Sequence, residues 1–129
     1  MKKRLLVIAT MVLALLVLNS CTEEKTSQIQ MVSKEEMKDI IKSDHTQLID
    51  VRTIKEFEAG HIKGAQNIVY DEDFANKISQ LDKQQPVAVY CHTGGRSAKC
   101  ATILKEAGFE KIYDLEGGFE AWTYKDNLE

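Results

Sequence analysis

Apolar positions in this chain fall first into one long block and then into short runs whose spacing keeps changing. The block is Leu5 to Leu18, apolar throughout except for Thr10. Past residue 28 the runs are short and separated by charged or turn-forming residues. Ile29 to Val32 is a short strand-like run, and Ser33 with Glu36 forms a capping box that predicts a helix from about Lys34 to Ile41. Gln47 to Val51 reads as a buried strand. Thr53 with Glu56 repeats the capping box and predicts a short helix ending near Gly60. Ala65 to Val69 predicts a further strand, and Phe74, Ile78 and Leu81 are spaced for one face of a helix over Asp71 to Leu81. Pro86 opens an apolar strand through Tyr90, and residues 98–107 have helical spacing that stops at Gly108. Lys111 to Leu115 is the last strand, followed by a Gly117-Gly118 turn and a short helix carrying Phe119 and Trp122.

Strands alternating with helices at such short spacing imply βαβ units. The expected fold is α/β, with a mostly parallel central sheet of about five strands and helices on both faces. In open parallel sheets, sites form beyond the carboxyl ends of the strands. Cys91 and the triplet Asp50-Val51-Arg52 both fall at such ends.

The apolar block is too short for a spanning helix, which needs about 20 residues. Behind the basic Met1-Lys2-Lys3-Arg4 it has the length of a signal-peptide core. Leu18-Asn19-Ser20-Cys21 then resembles a bacterial lipobox, whose cysteine is lipidated and becomes the mature N-terminus. The expected organisation is a lipoprotein signal peptide at 1–20, a lipidated N-terminus and polar tether at 21–28, and one domain at 29–129. The protein is then exported and anchored by lipid to a bacterial membrane, on the periplasmic or cell-surface side. An ordinary secretory signal cut near Ser20 and an uncleaved anchor stay open on the sequence. Residues 1–20 hold three basic residues and no acid, so 14 Lys and Arg face 20 Asp and Glu in the remainder, a net charge of −6. Such a balance argues against nucleic acid as a partner. It leaves the membrane link to the lipid on Cys21 alone.

Cys91-His92-Thr93-Gly94-Gly95-Arg96-Ser97 joins an apolar strand to a helix. This order places a thiol where backbone N–H groups and a helix N-terminus converge, a setting that lowers a cysteine pKa. Thr93, Gly94 and Gly95 let the backbone curl tightly, glycine tolerating positive φ. Arg96 adds a planar fork of donors suited to an oxyanion, and Ser97 is placed to cap the following helix. Read alone, the loop fits a reactive thiol and an inert buried turn equally well. Of the other two cysteines, Cys21 is assigned to lipid. Cys100 is expected inside the helix, packed with Ala101 and Leu104 and too far from Cys91 for a disulfide.

Three separate stretches together resemble the rhodanese-like (sulfurtransferase) domain family, over about Ser33 to Trp122. They are Leu48-Ile49-Asp50-Val51-Arg52 continuing to Glu56-Phe57 and Gly60-His61-Ile62-Lys63-Gly64-Ala65, the loop Cys91 to Ser97, and Leu115-Glu116-Gly117-Gly118-Phe119 with Ala121-Trp122. The resemblance implies the three-layer rhodanese-like fold. It implies that Cys91 is a nucleophile that takes a sulfane sulfur from a small-molecule donor such as thiosulfate, and that cyanide or a thiol, free or on an acceptor protein, removes it. The N–H groups of His92 to Arg96 would hold the persulfide, Arg96 would orient an anionic donor, and no metal or organic cofactor is called for. Related cell-cycle phosphatases have Cys-x5-Arg, and the Cys-x4-Arg spacing here is the sulfur-handling form. Two departures stand out: His92 where thiosulfate-using members often have Arg, and Lys63 where a proline is common. An imidazole is only partly charged near neutral pH, so attraction for a dianion is expected to be weaker.

Asp50 and Arg52 are expected to support the site from behind rather than react, Asp50 accepting backbone N–H bonds and Arg52 pairing with Glu56 or Glu58. His61 is expected to brace its turn, His45 to be solvated, and Phe119 with Trp122 to form core and a C-terminal lid. Two other functions remain compatible with these residues. One is a rhodanese-like binding or sensing module with little turnover, and the other is a thiol-redox protein pairing Cys91 with Cys100.

Overall fold

Five parallel strands make one sheet in the order β1-β5-β4-β2-β3, where β1 is Gln28–Val32, β2 Gln47–Asp50, β3 Gln66–Asn67, β4 Val87–Tyr90 and β5 Lys111–Leu115. This computed structural model describes residues 26–129; the apolar block, Cys21 and most of the tether lie outside the described residues. The α/β architecture expected from the alternating pattern is the one observed.

Strand alternation sorts the core into two layers. On β4, Val87 and Val89 face one side together with Ile49, Val51 and Ile112, and there they meet Phe74, Ile78, Cys100, Ala101 and Leu104. Ala88 and Tyr90 face the other side, packed with Val32, Met37, Leu48, Ile62, Leu115 and Trp122. The helices follow suit. α1 (Lys34–Ile40), α2 (Ile54–Glu58), α3 (Phe74–Lys77), α4 (Gly95–Glu106) and α5 (Gly118–Ala121) intervene between or after the strands. Both capping boxes form: Ser33 Oγ accepts from Glu36 N at 3.2 Å while Glu36 accepts from Ser33 N at 2.8 Å, and Thr53 with Glu56 does the same at 3.2 and 2.9 Å.

Three elements differ from expectation. The helix expected over Asp71 to Leu81 is only α3 followed by a 3-10 turn, Ile78–Gln80. The Asp71 carboxylate accepts the Asp73 N–H at 3.0 Å, an Asx turn that keeps the entry out of the helix. Phe74, Ile78 and Leu81 are buried all the same. β3 is two residues rather than five; beside it the Asn67 side-chain amide donates to the carbonyls of Asp50 and Arg52 at 2.9 and 3.0 Å. α4 begins three residues early, so that Gly95, Arg96 and Ser97 form its first turn.

Candidate active site

Cys91 follows β4 directly and belongs to the core layer beneath α4. Gly94 is the N-cap of α4, with φ 111°, a left-handed conformation that favours glycine. That turn aims the Gly94 N–H at Cys91 Sγ, which accepts it at 3.0 Å. The Ser97 hydroxyl lies 3.6 Å from the sulfur. Burial pushes the thiol pKa up, since Cys91 is only 1% exposed. The Ser97 backbone and hydroxyl, with the N–H groups of Gly94 and Arg96, outweigh it, and the thiol sits below its ordinary value. His92 and Thr93 complete the turn and are exposed.

Two expectations about this loop need correction. Ser97 does not cap α4; it lies fully buried in the first turn, and its hydroxyl donates to Gly94 O at 3.2 Å. The cap is Gly94, because the backbone itself turns inward to the sulfur. Gly95 is helical and needs no positive φ.

The arginines pair differently from the expected scheme. Arg52 does not reach Glu56 or Glu58. Its guanidinium grips Asp50 at 2.7 and 3.0 Å and donates to Gly60 O at 2.7 Å, and its charge lies 4.0 Å from the centre of the Phe119 ring. Both partners are buried, and Asp50 also accepts the Arg52 N–H at 2.9 Å, the backbone bond expected of it. Residues i and i+2 at a strand end project to the same side, so the shortest route to charge neutrality is this local one. Glu56 is taken instead by Arg96, which donates to both carboxylate oxygens at 2.8 Å. That fork holds the Glu56 carboxyl far below the usual carboxylate range. Arg96, expected to turn toward an anionic donor, is therefore already engaged.

The third motif packs against the back of the loop. Phe119 N donates to Cys91 O at 2.8 Å and Glu120 N to His92 O at 3.0 Å. Gly118 makes this approach possible: at φ 62°, a Cβ there would lie 2.5 Å from His92 O and 2.6 Å from Cys91 O. Beside the loop lies a cavity of about 230 Å³ lined by Arg52, Glu56, Ala59, Gly60, His92 and Phe119. A wider recess of about 510 Å³ near the start of α1 is lined by Ser33, Lys34, Glu116 and Glu120 but by no residue of the Cys91 loop. Of the two, the smaller is the one that a residue of the Cys91 loop, His92, lines.

Cys100 is buried with Ala101 and Leu104, as expected, and burial pushes its thiol up to about 12. Neither cysteine is in a disulfide. His61 braces its turn by stacking on Phe57 at 3.6 Å and bonding Phe57 O at 3.0 Å, and His45 is exposed. Among the described residues there is no cluster of three or more His, Cys, Asp or Glu side chains suited to a metal ion. Sequence reading passed over two polar groups. The Tyr90 hydroxyl accepts the Ile62 N–H at 3.0 Å, tying β4 to the turn after α2. Asp114 is buried on β5 behind the loop. Its signal was present, since Asp114 shares a strand face with Ile112, where an acid breaks the apolar alternation.

Comparison with known proteins agrees with this geometry. The family model described as "Rhodanese-like domain" matches residues 33–125. Thiosulfate sulfurtransferase GlpE of Shewanella oneidensis is 35% identical over 96 residues, covering 74% of this chain and 94% of that protein. The uncharacterised protein YqhL of Bacillus subtilis is 42% identical over 79 residues, 61% of this chain and 62% of its own length. A crystal structure of a rhodanese-like domain protein from Staphylococcus aureus superposes with a TM-score of 0.68 at 29% identity, covering 78% of this chain and 96% of that one. With the fold, the order of the three motifs and the match over 33–125 in agreement, the chain belongs to the rhodanese-like domain family.

Proposed function

We propose that this protein is a single-domain sulfurtransferase in which Cys91 carries the sulfur. The observation that carries the reading is the Gly94 N–H aimed at Cys91 Sγ at 3.0 Å, with the thiol held below its ordinary pKa although it is buried. A thiolate needs such donors to exist in a closed pocket. The name and 35% identity of the GlpE relative support thiosulfate as a donor. In the first step the Cys91 thiolate attacks the outer sulfur of thiosulfate. A new S–S bond forms, the donor's S–S bond breaks, and sulfite leaves with the electron pair. The loop N–H groups hold the resulting persulfide anion. In the second step a thiol or cyanide attacks the terminal sulfur and returns Cys91 as thiolate, so that oxidant and reductant are balanced within the two substrates. Asp50 and Arg52 support the wall of the cavity from behind. The chemistry asks for no metal or organic cofactor.

Incubating the protein with thiosulfate tests this by intact mass. One added sulfur, about 32 Da, removed by cyanide and absent from Cys91→Ala, is the expected result for a covalent persulfide. No gain with thiosulfate, polysulfide or an organic persulfide would overturn it and leave a docking module as the better account. The thiol-redox reading fares worse, because Cys100 is sealed in the core and its thiol is pushed up to about 12, which suits neither attack nor release.

We further propose that Cys21 carries a lipid and holds the domain outside the cytoplasm, with residues 1–20 removed. The lipobox-like Leu18-Asn19-Ser20-Cys21 behind a basic and apolar leader supports this. Cys21→Ser should release the protein from membranes on fractionation; an unchanged membrane fraction would count against the lipid.

A further inference from the structure

All five strands run parallel, so their amino ends share one edge of the sheet and their carboxyl ends the other. Register sets Gln28 beside Lys111, Ile112 beside Val87 and Val87 beside Gln47, so the chain from Cys21 enters the domain at the amino edge. Cys91 leaves β4 at the opposite edge, about 15 Å further along at ~3.3 Å per residue.

β1 is itself unusual. Among the described residues it pairs only with β5, which makes it the outer strand of the sheet. Its sequence, Gln-Ile-Gln-Met-Val, holds none of the charges or prolines that commonly protect an outer strand. Ile29 and Met31 share one face and are 41% and 63% exposed.

Charge is graded between the two edges. The turns that lead into β2, β4 and β5 balance Lys42, Lys83 and Lys111 against Asp44, Asp82 and Glu110. The segments that leave the strands, each with the helical turn that follows (33–37, 51–57, 68–77, 91–98 and 116–121), hold eight acids against five bases. An anionic lipid surface therefore repels the edge that bears Cys91 more than the edge that bears β1. The link from Cys21 to Gln28 spans at most about 25 Å. That is comparable with the domain itself, whose radius of gyration is about 13 Å at this length, so the link keeps the amino edge near any lipid on Cys21.

We propose that β1 rests on the membrane surface that holds the Cys21 lipid, with Ile29 and Met31 in the interface, so that the Cys91 loop faces the water and trades sulfur with water-borne donors and acceptors. The inference rests on Cys21 being lipidated and on Cys91 being the reactive thiol. Its test needs no sulfur transfer, so the orientation and the chemistry can fail separately.

The experiment uses the lipidated protein, purified from membranes and placed in vesicles of phosphatidylethanolamine and phosphatidylglycerol whose acyl chains carry bromine, a quencher of tryptophan fluorescence. Trp122 is the sole tryptophan and belongs to the core cluster of Val32 and Leu115, the last residues of β1 and β5, so the unaltered protein should keep its emission. The emission added by Met31→Trp should be quenched by about a third or more, as for a side chain about 5–10 Å into the interface. Ile29→Trp asks the same question if Met31→Trp does not fold. Iodoacetamide is neutral and unaffected by surface charge; it should alkylate Cys91 on vesicles as fast as in soluble Cys21→Ser. Protein that does not float with the vesicles overturns the lipid and this orientation together. Protein that floats with neither added tryptophan quenched overturns the orientation alone, and cross-linking between β1 strands would then assign that edge to a second copy. Cys91 alkylation slowed several-fold on vesicles also overturns it, since the loop would then face the bilayer.

Discussion

Glu56 accepts two hydrogen bonds of 2.8 Å from the guanidinium of Arg96, and the same carboxylate accepts the Thr53 N–H that starts α2. One side chain therefore closes a capping box and fixes the first turn of α4, locking two of the three sequence motifs to each other. It also sets the charge at the cavity. Arg96 is neutralised by Glu56 and Arg52 by Asp50, so no arginine lining the cavity or its loop is left without a carboxylate. An anionic donor must share Arg96 with Glu56 or displace it.

Glu56→Gln should therefore improve the use of thiosulfate. The amide can still meet the Thr53 N–H but no longer cancels the Arg96 charge. The KM for thiosulfate should fall several-fold, and the gain should shrink as salt rises, because the partly exposed pair is open to screening. Steady-state kinetics at two ionic strengths check this. An unchanged or higher KM would mean that Glu56 serves to hold Arg96 in its working place.

Much of this was legible from residue order, and the reasons are physical. The continuous apolar run of β4 and the two capping boxes are local signals, and they placed that strand and the starts of α1 and α2. Cys91, Gly94 and the converging N–H groups followed from strand-loop-helix order alone. The charge pairings were not legible in the same way. Glu56 and Arg96 are 40 positions apart, and nothing local distinguishes that partnership from one with Arg52. Gly118 read as part of a turn, whereas its actual constraint is the nearness of the Cys91 and His92 carbonyls across the fold. Ser97 read as a cap because a cap is the commonest local use of serine; the burial that gives it another use is tertiary.

Gly118→Ala should damage both stability and chemistry. A left-handed alanine costs about 1–2 kcal/mol by itself, and the added Cβ would press on two carbonyls at 2.5 and 2.6 Å. Relief requires moving the helix start or the loop that positions Cys91. Urea denaturation should show the loss, and persulfide loading should fall by more than the unfolded fraction explains. Loading that tracks the folded fraction alone would mean the loop is held elsewhere.

Arg52→Ala should be among the most destabilising single changes in the domain. It strands the buried Asp50 carboxylate, and breaking a buried pair from one side costs about 3–5 kcal/mol. That is a large part of the stability of a domain this size, about 5–15 kcal/mol. Arg52→Lys should recover less than half, since an ammonium cannot grip both Asp50 oxygens and reach Gly60 O as the fork does. Full recovery in Lys, measured by urea midpoint, would mean that charge alone matters there.

Cys91 should be alkylated with a midpoint below the ordinary cysteine value of about 8.5, while Cys100 stays unmodified in the folded protein. The two thiols share one core layer, yet their surroundings push them apart: N–H groups and the Ser97 hydroxyl lower Cys91, and burial raises Cys100 to about 12. The sign for stability follows from the same shift. A pKa depressed by folding means that the fold favours the thiolate, so this contribution is present above the unfolded value and is lost as pH falls through the folded one. Cys91→Ser removes a group that titrates in this range, and stability should then vary less between about pH 6 and 9. Peptide-resolved alkylation rates and urea midpoints across that range check both statements. Equal reactivity of the two cysteines would show that the Gly94 turn does not stabilise the charge on Cys91.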